Sequence, residues 1–174
     1  MELIELLRKR RSIRRFKDIA IEKEKVDLLK EAALRSPTSK NLHSWEFIFI
    51  DDKETIDKLS GVRVQSSNFL KGAPLCLAVL GLEDVNDTWV EDASIAAIIV
   101  QLTALSLGLG SCWIQIRNRM HSDNESAESY VRSVLNIPEQ CRVVCLVALG
   151  YPNEEKDPTP SDKLRWDKIH INKW

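Results

Sequence analysis

Glu91-Asp92-Ala93-Ser94-Ile95-Ala96-Ala97-Ile98-Ile99-Val100-Gln101-Leu102-Thr103-Ala104-Leu105-Ser106-Leu107 is the stretch on which the fold turns. It reads as a long helix of Ala, Ile, Val and Leu. Asp87 or Thr88 stands at its start as a cap, and Gly108 and Gly110 mark its end. The acids Glu91 and Asp92 complement the dipole of the first turn and have a structural reading. The helix is apolar almost all round, so it must be enclosed on nearly every side. In a chain of 174 residues, the same helix of a second subunit is a natural cover. The apolar run over residues 95–109 is broken by Gln101, Thr103, Ser106 and Gly108 and falls short of a bilayer span.

Working outward, residues 2–10 read as a short helix with Leu3, Ile4 and Leu7 on one side. Residues 22–35 read as a second, with Val26, Leu29 and Ala33 on its apolar face. Ser36-Pro37 stops it, because proline restricts the residue before it. Residues 45–50 alternate as a strand, and residues 53–60 form a short helix. The nearly all-apolar run over 74–80 fits a strand buried on both faces. A strand over 111–116, a helix over 125–135 and a strand over 142–149 follow. The polar tail, residues 153–174, ends in Trp166, Ile169, Ile171 and Trp174, which need a surface to pack on. Helices and strands mix without a strict βαβ repeat, so an α+β layer fold in one domain over residues 1–174 is expected.

A chain of this length buries roughly 70% of its unfolded surface and needs no metal or disulfide. The net charge of −1 and pI near 6.3 argue against a nucleic-acid binder. The chain opens with acids among its apolar residues, unlike a secretory signal, and a cytoplasmic protein that does not meet a membrane is expected. Cys76, Cys112, Cys141 and Cys145 make no Cys-x-x-Cys pair. Cys141 and Cys145 are expected on one face of a strand, about 13 Å apart, too far to bridge.

Three segments carry candidate chemistry. Arg10-Arg11-Ser12-Ile13-Arg14, if extended, points Arg10, Ser12 and Arg14 one way. Two guanidinium forks and a hydroxyl make a phosphate cradle. Pro37-Thr38-Ser39-Lys40-Asn41-Leu42-His43-Ser44-Trp45 is a polar loop between helix and strand. Ser39 and Asn41 there suit the edge of a flat heterocycle or a polyol chain. Gly108-Leu109-Gly110-Ser111-Cys112-Trp113-Ile114-Gln115 lets backbone approach a ligand closely. A strand follows these glycines, so they are no Rossmann fingerprint. Cys112 has no evident His or Asn partner to make it a nucleophile. No Walker loop, His-Glu-x-x-His or Gly-x-Ser-x-Gly is present.

Taken in order, these segments resemble the nitroreductase family of FMN-dependent oxidoreductases. Residues 10–14 are similar to the family's opening phosphate element. Residues 37–45 resemble its Pro-Ser-Ser-x-Asn-x-Gln-Pro-Trp loop. Residues 91–96 with 107–114 resemble its central helix and the strand after it, and Val147-Ala148-Leu149-Gly150-Tyr151-Pro152 its last core strand. The resemblance implies a central, mainly antiparallel sheet flanked by helices. It also implies an interlocked homodimer with FMN at the interface and the tail, residues 153–174, packed on the partner.

On that basis Arg10, Arg11, Ser12 and Arg14 hold the phosphate. Pro37, Thr38, Ser39 and Asn41 line the flavin from the other subunit, and the backbone at Ile114 and Gln115 approaches the ring. Lys163 or Arg165 is the tail base on the phosphate. The implied activity is ping-pong electron transfer from NAD(P)H to a small acceptor such as a nitroaromatic or quinone, with flavin-centred chemistry and no catalytic side chain. Flavin fragmentation, dehalogenation, azoline oxidation and non-catalytic binding stay open. The chain departs from the family pattern at His43-Ser44 and at Gln115-Ile116-Arg117, so Arg117 or Arg119 becomes a candidate to face the cofactor or acceptor.

Overall fold

Local rules set most boundaries. The computed structural model describes residues 2–63 and 65–174. Its helices are α1 (Leu3–Lys9), α2 (Lys23–Leu34), α3 (Lys53–Ser60), α4 (Trp89–Ser106) and α5 (Ala127–Leu135). Its strands are β1 (Trp45–Ile50), β2 (Leu75–Gly81), β3 (Gly110–Gln115) and β4 (Arg142–Gly150). The Asp52 side chain caps α3 by accepting from Thr55 N at 2.8 Å. Ser126 caps α5 by accepting from Ser129 N, so that helix starts two residues later than the apolar pattern predicts. Thr88 does sit at the N-cap of α4, but its hydroxyl makes no capping bond and instead accepts from Asn86 Nδ2. Gly108, at φ 79°, turns the chain out of α4 toward β3 in a conformation that favours glycine.

The strands form one sheet in the order β1-β2-β4-β3, with every pair antiparallel. The expected mainly antiparallel sheet is therefore wholly so. One face packs against α3 and α5, through Ile56, Leu59, Ala127 and Val131. The other packs against α2 and α4, through Leu29, Ala33, Ala97 and Val100. Every residue of β2 is buried, as its unbroken apolar run requires.

Cys141 and Cys145 do not share a face. The pairing jumps from Val79↔Cys145 to Leu80↔Val143, so Val144 is an extra residue on β4. Val144 and Cys145 both join the α2–α4 layer, while Cys141 and Val143 join the other. A one-residue bulge reverses the alternation beyond it. All four cysteines are free and buried.

The central helix is enclosed on one side only. Ala93, Ala96, Ala97, Val100 and Ala104 are buried against the chain's own sheet and neighbours, while Ile95 and Ile98 keep 40% and 37% of their surface open. Leu3, Ile4 and Leu7 of α1 are likewise exposed, and Leu6 is that helix's buried residue. The helix α4 is long and apolar enough by composition to cross a membrane, yet its alanine face is packed as a core helix.

Candidate cofactor site

The N-terminal arginines meet the glycine turn at the end of α4. The segment after α1 touches β3 where Ser12 bridges Ser111 in parallel fashion and Ile13 N donates to Ser111 O at 2.9 Å; farther on, Phe16 bridges Pro152 in antiparallel fashion. Glycine at 110 permits this approach, since a Cβ there would fall 2.9 Å from Ile13 Cβ. The result is a cleft of about 160 Å³ lined by Lys9, Arg10, Arg11, Gln101, Gly108 and Lys156, among others. Gln101, buried on α4, accepts from Ser111 Oγ at 3.5 Å.

Charge in the cleft is cationic with one acid. Lys156 Nζ donates to Ser12 O at 2.8 Å and lies 3.4 Å from Glu154. Glu154 Oε1 accepts from the backbone N–H of Arg14 at 2.5 Å and of Arg15 at 3.2 Å. The Arg14 N–H foremost holds the Glu154 carboxyl below its usual range, with Arg15 and Lys156 adding to it. Arg11 donates to Asp157 O, and the Arg14 guanidinium lies 5.7 Å from the Phe69 ring centroid. Cys112, beside Ser12 and Arg14, has its thiol pushed up by burial, which outweighs the Arg14 and Lys156 charges and the Ser12 hydroxyl. That keeps it a packing residue.

The second predicted segment lies at the other end of α4. Ser39 N donates to Asp92 Oδ1 at 3.0 Å. Ser44 Oγ donates to Asp92 Oδ2 at 2.6 Å, and Asn86 Nδ2 to the same oxygen at 3.1 Å. This buried carboxylate pins a loop in which Lys40, Asn41 and His43 all have positive φ, at 53°, 56° and 51°. Such left-handed residues persist only where surroundings over-determine them. Thr38 Oγ1 accepts from His43 N. Pro37 and Asn41 are exposed, and Thr38 and Ser39 half-buried. The Trp45 indole N–H behind the loop is buried without an acceptor.

The two segments do not meet within one chain. Asp92 and Leu105, their respective neighbours on α4, are about 20 Å apart along a helix rising 1.5 Å per residue. Of the other predicted residues, Ile114 is buried in the α3–α5 layer. Gln115 accepts from Trp113 Nε1 at 2.9 Å and donates to Arg117 O at 2.8 Å. Of the arginine run, Arg10 and Arg11 line the cleft while Ser12 and Arg14 do not, so the run does not present Arg10, Ser12 and Arg14 to one space. Lys163 and Arg165 are exposed on the tail and do not line the cleft either, and Arg165 forks onto Asp167. Sequence reasoning missed Lys156 and Glu154, which reach the cleft only because the chain after Pro152 folds back along the N-terminal segment. A larger cleft of about 560 Å³, between Phe16, Val26, Ile56 and Pro74, contains none of the predicted residues.

A wholly antiparallel sheet between two helical layers, with an arginine cleft at one end of a central helix and a pinned polar loop at the other, defines an α+β protein of one architectural class. The nitroreductase family profile matches residues 7–66 and 62–151, and the chain belongs to that family. It is 32% identical over 177 residues to a Methanothermobacter thermautotrophicus protein, covering 100% of this chain and 88% of that one. It is 33% identical over 178 residues to an Archaeoglobus fulgidus protein, covering 99% of each. NADH dehydrogenase/NAD(P)H nitroreductase activity is ascribed to both. Among solved structures, an FMN-dependent nitroreductase from Clostridium difficile R20291 superposes with a TM-score of 0.96 at 48% identity, over 98% of this chain and 99% of that one.

Proposed function

We propose that this chain is an FMN-dependent oxidoreductase that carries electrons from NAD(P)H to a small acceptor such as a nitroaromatic or quinone, by ping-pong turnover on a shared face. The observation that carries the reading is the donor set of the arginine cleft. Lys9, Arg10, Arg11 and Lys156 converge on a space suited to a phosphate dianion, and Glu154 is already neutralised by Lys156 and two backbone N–H groups. When bound, FMN supplies the hydride and electron chemistry, which explains why no acid–base triad is needed.

The protein's part is to bind and orient. Arg10 and Arg11 hold the phosphate from the cleft lining, Ser12 and Arg14 support it from the same segment outside that lining, and Thr38, Ser39 and Asn41 face the heterocycle from a partner subunit. Backbone at Ile114 and Gln115 borders the ring. The cleft of about 160 Å³ is smaller than a whole-ligand pocket, which supports a site completed by a second copy. So does the outward apolar stripe of Leu3, Ile4, Leu7, Ile95 and Ile98. The exposed tail, ending in Trp174 at 99% exposure, fits packing on that partner, with Lys163 or Arg165 completing the phosphate grip. A cytoplasmic homodimer follows from this reading.

The test is the visible spectrum of freshly purified protein, with chromatography of what heat releases. FMN near one per chain is expected. A colourless protein that also fails to take up added FMN overturns the proposal. Arg14→Ala should lose flavin on extensive dialysis, because a phosphate charge loses a guanidinium partner. Full retention would sink the role of Arg14 in holding the phosphate, and full retention in Arg10→Ala the assignment of the cleft.

A further inference from the structure

Arg117 stands two residues beyond Gln115, where the edge strand β3 has just ended. Its guanidinium lies over Trp89, which packs with Trp113 on the α2–α4 layer, whereas Ile114 and Ile116 belong to the opposite layer. Its position is held at three points. Its backbone N–H donates to Val144 O at 3.1 Å, its carbonyl accepts from Gln115 Nε2, and its guanidinium carbon lies 5.5 Å from the Trp89 ring centroid. Trp89 is itself fixed: its ring covers Gly81 so closely that a Cβ there would fall 2.3 Å from Cε3.

Arg117 is one of the arginines that carry no ion pair among the described residues, and it is set apart by its seat over Trp89. Arg142 pairs with Glu83, Arg165 with Asp167, and Arg119 turns back on Asn118 O. Among the described residues no carboxylate pairs with Arg117. A cation–π contact with an indole spends none of the guanidinium's N–H donors, which stay available for an oxyanion. Half-buried and ordered on both sides, it loses little entropy on binding one.

We propose that Arg117 is a specificity residue of the flavin site and recognises a carboxylate on the electron acceptor. The inference rests on the FMN reading above, in which backbone at Ile114 and Gln115 borders the ring. Two residues of chain span at most about 7 Å, so Arg117 stays within that distance of Gln115. A small aromatic acceptor lying over the ring therefore presents its far end to the guanidinium fork. Acceptors with an acidic group opposite the reducible one are favoured over neutral analogues.

The experiment titrates benzoate and, separately, benzamide into FMN-loaded protein by calorimetry, with flavin content measured on the same samples. Benzoate should bind at least about tenfold tighter than benzamide, and added salt should erode the difference. Arg117→Met should abolish the preference while keeping flavin content and circular dichroism, because no ion pair is lost. Arg117→Lys, which keeps charge but not the planar fork, should retain part of it. In turnover, Arg117→Met should raise KM for 4-nitrobenzoate about tenfold with kcat unchanged, and leave 4-nitrobenzamide unaffected. A preference that survives Arg117→Met, or that the wild-type protein lacks, overturns the role of Arg117 alone. A protein without flavin overturns the flavin reading, and this proposal with it.

Discussion

The Asp92 carboxylate accepts from the backbone N–H of Ser39 at 3.0 Å, joining the first turn of α4 to a loop 53 positions earlier in the chain. With Ser44 and Asn86 also donating, a side chain that is only 4% exposed is satisfied without a cation. That linkage offsets the cost of three left-handed residues in the loop.

Asp92→Asn keeps the shape but offers one acceptor oxygen to three donors. It should cost about 2–3 kcal/mol, lower Tm by roughly 5–10 °C and loosen FMN. Differential scanning calorimetry and a flavin titration check both; an unchanged flavin affinity would separate the loop from the cofactor.

Trp89 rests on Gly81 with no room for a methyl group. Gly81→Ala should therefore displace the indole and destabilise the fold by about 1–3 kcal/mol. It should also shift tryptophan emission and reproduce the loss of benzoate preference expected of Arg117→Met. A crystal structure with Trp89 unmoved would refute this.

Ile98 sits on the open face of α4 beside Ile95. If that face is the dimer seam, Ile98→Glu buries an unpaired charge there. A cost of about 3 kcal/mol raises the dimer dissociation constant roughly a hundredfold. Sedimentation should show monomer with little flavin; an intact dimer would place the seam elsewhere.

Glu154 clamps the N-terminal arm through the backbone of Arg14 and Arg15, and its carboxyl lies below the ordinary value of 4.5. Because the folded value is depressed, the clamp's stabilisation is complete above pH 4.5 and disappears as pH falls through the folded value. Hydrogen exchange at Arg14 and Arg15 should speed up at that lower pH in the wild-type protein. In Glu154→Ala, which removes the acceptor, it should be fast throughout.

Much of this was legible along the chain. The bounds of β1 follow from alternation, and the double-sided burial of β2 follows from its unbroken apolar run. The arginine run, the polar loop and the glycine turn are each local patterns, and their order marks the family. The bulge at Val144 left no sequence signal, because valine pairs as readily as it bulges, and it moved Cys145 to the other layer. Asp92 reads as an ordinary first-turn acid, and only its three donors, distant in sequence, make it the anchor of the loop.

The sequence by itself determined which segments are helices and strands, where the candidate chemistry lies and which family the chain belongs to, since all of these depend on neighbours within a few residues. Only the tertiary structure decided the strand order β1-β2-β4-β3, the return of Lys156 and Glu154 to the arginine cleft, and the placing of loop and cleft at opposite ends of α4. Those depend on which distant surfaces bury one another, and a linear pattern of apolar residues states how much must be covered without stating by what.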